Sequence, residues 1–171
     1  MLDFDMVYTP SERFELPRSR KIIKADAYAS VLRMRACART SDFVLHYLAH
    51  RSQAIISPAR NTVTYDWAQL GLVVPKRLAK HSVRRNLIKR LTRESFRIRA
   101  SQLPAGLWVV RLHSNINGRP LMAVQKKEMA EQLSQLWAAG MAFSEQLRAG
   151  KVVSAVRTHL SVNNAQQQQG E

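Results

Sequence analysis

A strand–helix–strand run in the middle of the chain limits the folds open to it. QLGLVVP (69–75) is a short apolar run suited to a buried strand, and Pro75 closes it because proline cannot donate to an interior ladder. GLWVVRLH (106–113) is a second such run. The segment between them reads as one helix, with Ser82 as its cap and with Pro104 and Gly106 stopping it near Gln102. Two buried strands flanking a helix of about 20 residues suit a parallel pair, which needs a long crossover where a hairpin would need only a turn.

The flanks supply the other layers. ADAYASVLRMRACA (25–38) suits a short helix, with Asp26 at its positive end and Tyr28, Val31 and Leu32 at helical spacing. DFVLHYLA (42–49) is rich in branched and aromatic residues, as a strand should be. Residues 51–66, interrupted by Pro58 and Asn61, read as a long loop or irregular hairpin, and NINGRP (115–120) reads as a turn. LMAVQKKEMAEQLSQLWAAGM (121–141) is amphipathic, with Leu121, Val124, Met129, Leu133, Leu136 and Trp137 on its apolar side. Weaker helix continues over 142–160, and a polar tail follows from about 161. Residues 1–19, with Pro10 and Pro17, read as extended. The expected fold is a small α/β (α+β) two-layer sandwich, flanked by N- and C-terminal helices.

Charge narrows the function. The chain has 27 basic and 12 acidic side chains, a formal +15. Residues 76–99 alone hold ten basic side chains and one acid, Glu94, against 17 and 11 in the rest. Such a field calls for a polyanion: nucleic acid or an anionic membrane. No apolar run approaches the ~20 residues that span a bilayer. MLDFDMVYTP lacks the basic and apolar regions of a secretory signal, so a cytoplasmic protein is expected. Cys37, the only cysteine, excludes an internal disulfide and a zinc site built on several thiolates.

On a helical wheel, Val83, Leu87, Leu91 and Ile98 fall within about 80° of one another, with Ile88 at the border, and are expected to dock on the sheet. Arg85, Lys89, Arg93 and Arg97 form an i, i+4 series elsewhere, beside Asn86 and Arg90. Each like-charged i, i+4 pair costs roughly 0.2–0.5 kcal/mol. Arg84 and Arg85 in the first turn also oppose the helix dipole. Phosphates would reverse both penalties by releasing condensed counterions. Four arginines among the six polar positions favour forked contacts over point charges. Lys76, Arg77 and Lys80 precede the helix and extend the same cationic surface.

The stretch GLVVPKRLAKHSVRRNLIKRLTRESFR (71–97) resembles the signature of the bacterial ribonuclease P protein subunit family. In that family a strand ends in a Ser-Lys-Lys-like step, and a basic loop leads into a helix of approximate pattern R-N-R-x-K-R-x-x-R-x-x-F. Arg85, Asn86, Lys89, Arg90, Arg93 and Phe96 match it; Leu87 replaces the second Arg, and Pro75 stands where Ser is frequent. Leu87 falls on the apolar face, so its burial would leave the polar arc intact. The resemblance reaches residues 20–141 as an RNA-binding domain with an inserted loop at 50–67, leaving 142–171 as an extension. It implies a left-handed crossover through the basic helix. It further implies a protein cofactor of a catalytic RNA, which itself hydrolyses the phosphodiester bond to remove the 5′ leader of precursor tRNA. Ribonuclease P RNA and precursor tRNA would be the partners, with no membrane and no small-molecule substrate. Mg²⁺ would be held mainly by RNA. Lys76, Arg77, Lys80, Arg84, Arg85, Asn86, Lys89, Arg90, Arg93 and Arg97 would meet the RNA. Tyr28, Leu32, Val44 and His46 would line a cleft for the leader; at position 32 the family tends to carry an aromatic residue.

The residues agree with a chain that does no chemistry itself. A two-metal nuclease needs converging carboxylates, and the acids here are few and scattered. His46 and His50 would form a metal pair on a helix, but on a strand four residues span roughly 13 Å. Trp67, Trp108 and Trp137 read as structural. A ribosomal-type structural RNA-binding protein is the alternative, sharing the charge but not the ordered match across loop and helix. A bZIP-type DNA helix would need a following zipper, which Pro104 and Gly106 preclude. A membrane-surface helix would need its apolar face free, and two buried strands bracket this one.

Overall fold

The computed structural model describes residues 16–49, 67–120 and 123–150. The inserted loop except Trp67, Leu121, His50 and the polar tail lie outside those residues. Helices α1 (Ala25–Arg33), α2 (Ser82–Arg99) and α3 (Ala123–Arg148) surround strands β1 (Ala36–Arg39), β2 (Phe43–Ala49), β3 (Ala68–Val73) and β4 (Gly106–Leu112). The sheet order is β1-β2-β4-β3. The β3 and β4 strands pair in parallel, from Ala68 opposite Gly106 to Val73 opposite Arg111, with α2 as their connection. The other two pairings are antiparallel, so this is a mixed four-stranded α+β sheet.

The two sheet faces are unequal. Phe43, Leu45 and Tyr47 alternate with Val44 and His46 along β2, and the odd-numbered set joins Leu70, Trp108, Val110 and Leu112 in the main core beneath α2 and α3. Tyr47 stacks on Trp108 at 4.0 Å between ring centroids; Trp137 meets Trp108 edge-on at 6.1 Å and Phe96 at 5.6 Å. That aromatic chain ties β2, β4, α3 and α2 into one core. Gly140 allows the close approach of α3, since a Cβ there would lie 2.5 Å from Leu45 Cδ2. The second face carries a smaller cluster of Ile22, Val31 and Val109, with Tyr28 and Leu32 of the nine-residue α1 against it. Gly71 makes room there, because a Cβ would meet Tyr28 Cε1 at 2.7 Å.

Several expectations are corrected. Helix α1 stops at Arg33, and the end of the stretch read as helix, residues 36–38, belongs instead to the edge strand Ala36–Arg39 that pairs with β2. Ala and Arg favour helix locally, but the open β2 edge recruits them. Arg18–Arg20 is a 3-10 turn and not extended; after it Lys21 bridges Leu70. Ser82 is already helical: His81 is the N-cap, and no side chain caps the helix. On α3 the buried side consists of Met129, Leu133, Leu136, Trp137, Gly140 and Ser144, whereas Val124 is 66% exposed on the opposite side. As expected, the helix continues past 141, here to Arg148; residues 151–160 lie outside the described residues.

The largest correction concerns α2. Its docked residues are Ile88, Thr92 and Phe96, while Val83 and Ile98 are more than half exposed and Leu87 and Leu91 are half-buried. Thr92 can lie in the core because its hydroxyl donates to Ile88 O at 2.8 Å. The helix is therefore turned from the expected docking, and this decides which cations reach solvent.

Candidate nucleic-acid interface

The cationic surface starts where β3 ends. Pro75 O accepts from Leu78 N (3.0 Å) and Ala79 N (3.2 Å), forming a tight turn that buries Leu78 and Ala79 and leaves Lys76, Arg77 and Lys80 exposed. Arg85 closes the loop from the helix side, its Nη1 donating to Ala79 O (2.9 Å) and Lys80 O (2.5 Å). Arg84 Nη1 donates to Ile116 O. Two cations that oppose the helix dipole thus find carbonyl partners, which offsets part of their cost.

Farther along α2 the polar positions divide. Asn86, Arg90 and Arg93 are exposed, and Lys89 is half-buried beside the docked residues. Arg97 makes a forked pair with Glu94, Nε to Oε2 at 3.1 Å and Nη2 to Oε1 at 2.6 Å. The Arg97 hydrogen bond, aided by the charges of Arg97 and Arg90, holds the Glu94 carboxyl below its ordinary range. The only acid of the 76–99 segment is therefore already neutralised by a neighbour. Arg99 turns inward to Ser95 O and Ser134 Oγ, bracing α2 on α3.

The four proposed cleft residues do converge on the α1 side of the sheet. Tyr28 Oη accepts from Leu72 N at 3.1 Å, and half-buried Leu32 packs on the Val109 cluster. Val44 and His46 are buried, only 4% and 3% exposed, and His46 Nδ1 lies 3.0 Å from Met34 O. Tyr28 and Leu32 thus offer partial surface, while His46 is packed as a core residue. In register with Val44 stand Arg39 on β1 and Arg111 on β4, two cations that strand alternation places on this same face. Trp67, expected to be structural, is 38% exposed, with Nε1 donating to Ser19 O at 3.1 Å.

Sequence reasoning missed a polar centre that joins the start of β2 to the turn after β4 and to α3. Asp42, 1% exposed, accepts from Arg119 Nη1 (2.7 and 2.8 Å), Gln132 Nε2 (3.0 Å) and Ser114 Oγ. Burial pushes its carboxyl up, but these hydrogen bonds and the Arg119 charge prevail and hold it below 3.8. Only an acid directly after a turn and before a hydrophobic strand hinted at it. Among the described residues no three His, Cys, Asp or Glu side chains gather where a metal ion could be held.

A family model described as Ribonuclease P matches residues 16–139. The chain belongs to the ribonuclease P protein family. It is 37% identical to the ribonuclease P protein component of Bordetella parapertussis over 119 residues, 70% of this chain and 90% of that protein. The Burkholderia mallei component is 31% identical over 114 residues, covering 67% of this chain and 74% of that one. The ribonuclease P protein of Staphylococcus aureus superposes with a TM-score of 0.56 at 19% identity, covering 72% and 97% of the two chains. That likeness supports the fold. A ribonuclease P protein component is a part of an RNA–protein complex in tRNA 5′ processing.

Proposed function

We propose that the loop 76–81 and α2 bind the catalytic ribonuclease P RNA, and that this chain thereby assists removal of the 5′ leader from precursor tRNA. The observation carrying this reading is the common exposure of Lys76, Arg77, Lys80, Asn86, Arg90 and Arg93 on one braced surface whose single acid is paired with Arg97. Each phosphate neutralised there releases counterions, so affinity falls steeply with salt. The RNA carries out the hydrolysis, in the cytoplasm. Mg²⁺ supplies charge neutralisation and water activation when bound, and RNA oxygens hold it. This chain's part is to lower the phosphate repulsion that the ions would otherwise have to offset. The leader runs along the α1 side of the sheet, with Tyr28 and Leu32 touching it and Arg39 and Arg111 beside it; Val44 and His46 shape that floor from beneath.

The test is leader cleavage of a precursor tRNA at low Mg²⁺ by a bacterial ribonuclease P RNA, with and without the protein. Rescue should require the RNA and should weaken in an Arg90→Ala/Arg93→Ala variant. Salt-sensitive RNA binding without rescue would instead favour a structural RNA-binding protein.

A further inference from the structure

Mutual repulsion should splay a loop carrying Lys76, Arg77 and Lys80 against a helix that begins with two arginines. It does not splay, and the reason lies across the fold in the turn after β4. Asn117 Oδ1 accepts from Lys80 N at 2.6 Å, and its Nδ2 donates to Arg77 O at 3.0 Å. Because one partner is an N–H and the other a carbonyl, the amide can sit only this way round. Asn115 Oδ1 fixes Asn117 in turn, accepting from its backbone N (3.0 Å) and its Nδ2 (2.8 Å). Ile116 N donates to Leu78 O at 3.0 Å. With Arg85 on Ala79 O and Lys80 O, every carbonyl from Arg77 to Lys80 is turned onto a donor. The loop therefore shows the solvent its cations while its carbonyls, which would repel phosphate oxygens, face inward.

We propose that Asn117 is a positioning residue for RNA binding: its amide clamps Arg77 and Lys80 by the backbone, so that both side chains reach phosphates together. This inference rests on the RNA-binding reading of the loop. Of the ordinary side chains of this size, an amide alone supplies one acceptor and one donor in this arrangement; Asp would keep the Lys80 contact, lose the side-chain donations to Arg77 O and Asn115 Oδ1 and add a negative charge to the surface.

The experiment measures binding of the full chain to a bacterial ribonuclease P RNA across a salt series, for the native protein, Asn117→Ala, Asn117→Asp, Arg77→Ala/Lys80→Ala and the triple variant with Asn117→Ala. Asn117→Ala should weaken binding about 5- to 10-fold and flatten the plot of log affinity against log salt by one to two contacts, each worth roughly 0.7–0.9 in slope. Asn117→Asp, which retains the Lys80 bond and with it the fold, should weaken binding at least as much. The triple variant should bind no worse than Arg77→Ala/Lys80→Ala, because the clamp has nothing left to position. An unchanged slope in Asn117→Ala, or full additivity in the triple variant, overturns the positioning role while leaving the loop as an RNA contact. Native binding by Arg77→Ala/Lys80→Ala overturns both the clamp and the loop's place in the interface.

Discussion

Two kinds of cation share α2. Arg84, Arg85, Arg97 and Arg99 each donate to an acceptor within the chain, whether a carbonyl, a serine or Glu94. Arg90 and Arg93 are exposed, and no acceptor among the described residues receives a hydrogen bond from either. The first kind sits at the ends of the helix, where loop and turn backbone bring acceptors close; the second occupies the middle of the outward side. A cation with a donor held inside the fold also supports its shape, and one with all its donors open is fully available to a polyanion. Equal charge in the sequence thus conceals unequal roles.

The sharpest break in that division is Arg90→Ala/Arg93→Ala. Affinity for ribonuclease P RNA should fall about a hundredfold, equivalent to ~2.7 kcal/mol. The salt slope should flatten by about 1.4–1.8 for two lost phosphate contacts. Thermal unfolding should shift little, since surface changes away from structural features usually stay within about 0.5 kcal/mol. A large loss of stability would show that these two arginines also belong to the supporting kind.

Arg119 lies at the other extreme, donating from one nitrogen to both oxygens of buried Asp42. Asp42→Ala leaves the donors of Ser114 and Gln132 without their acceptor and should cost about 2 kcal/mol of stability, measured by denaturant unfolding. The Asp42 carboxyl titrates below its ordinary 3.8 in the folded chain. A depressed acid stabilises the fold above the unfolded value, and that contribution is lost as pH falls through the folded value. Unfolding midpoints of the native chain should therefore fall on acidification below about 3.8, more steeply than those of Asp42→Ala. Parallel curves would remove Asp42 from the acid response.

Much of this was legible in the sequence, for physical reasons that also mark its limits. The β3–α2–β4 run reads clearly because apolar runs closed by proline and a long polar helix leave few arrangements. Strand β1 did not, since Ala36 and Ala38 suit a helix until β2 offers them an edge. The docked side of α2 escaped the wheel because a core threonine looks polar until its hydroxyl is seen bonded to Ile88 O. Correcting it turns Val83 and Ile98 outward and places Arg85 and Lys89 at half-buried positions. The candidate cations were all identifiable by type, whereas their division into open and internally bonded depended on acceptors the helical pattern does not show, such as Ile116 O for Arg84. Asn117 lay in a segment that composition marked only as a turn. No local pattern could tie it to Lys80, 37 residues earlier.

The smallest effect tests whether a cation can be moved from one kind to the other. Glu94 and Arg97 are an i, i+3 pair with side chains 51% and 34% exposed. An exposed pair of this sort contributes about 0–1 kcal/mol, so Glu94→Gln should lower stability by no more than about 0.5 kcal/mol. It also removes the single negative charge in 76–99 and loosens the fork that holds Arg97. Arg97 sits one turn beyond Arg93 on the same i, i+4 row, so loosening the fork makes more of its guanidinium available to a phosphate. Affinity for ribonuclease P RNA should then rise about two- to threefold, with the salt slope steepening by less than one contact, roughly 0.7–0.9. A rise in affinity with no change in slope would mean that only the repulsion by Glu94 had been lifted. A fall would show that the Glu94 pairing orients Arg97 toward the RNA and that the pair binds as a unit.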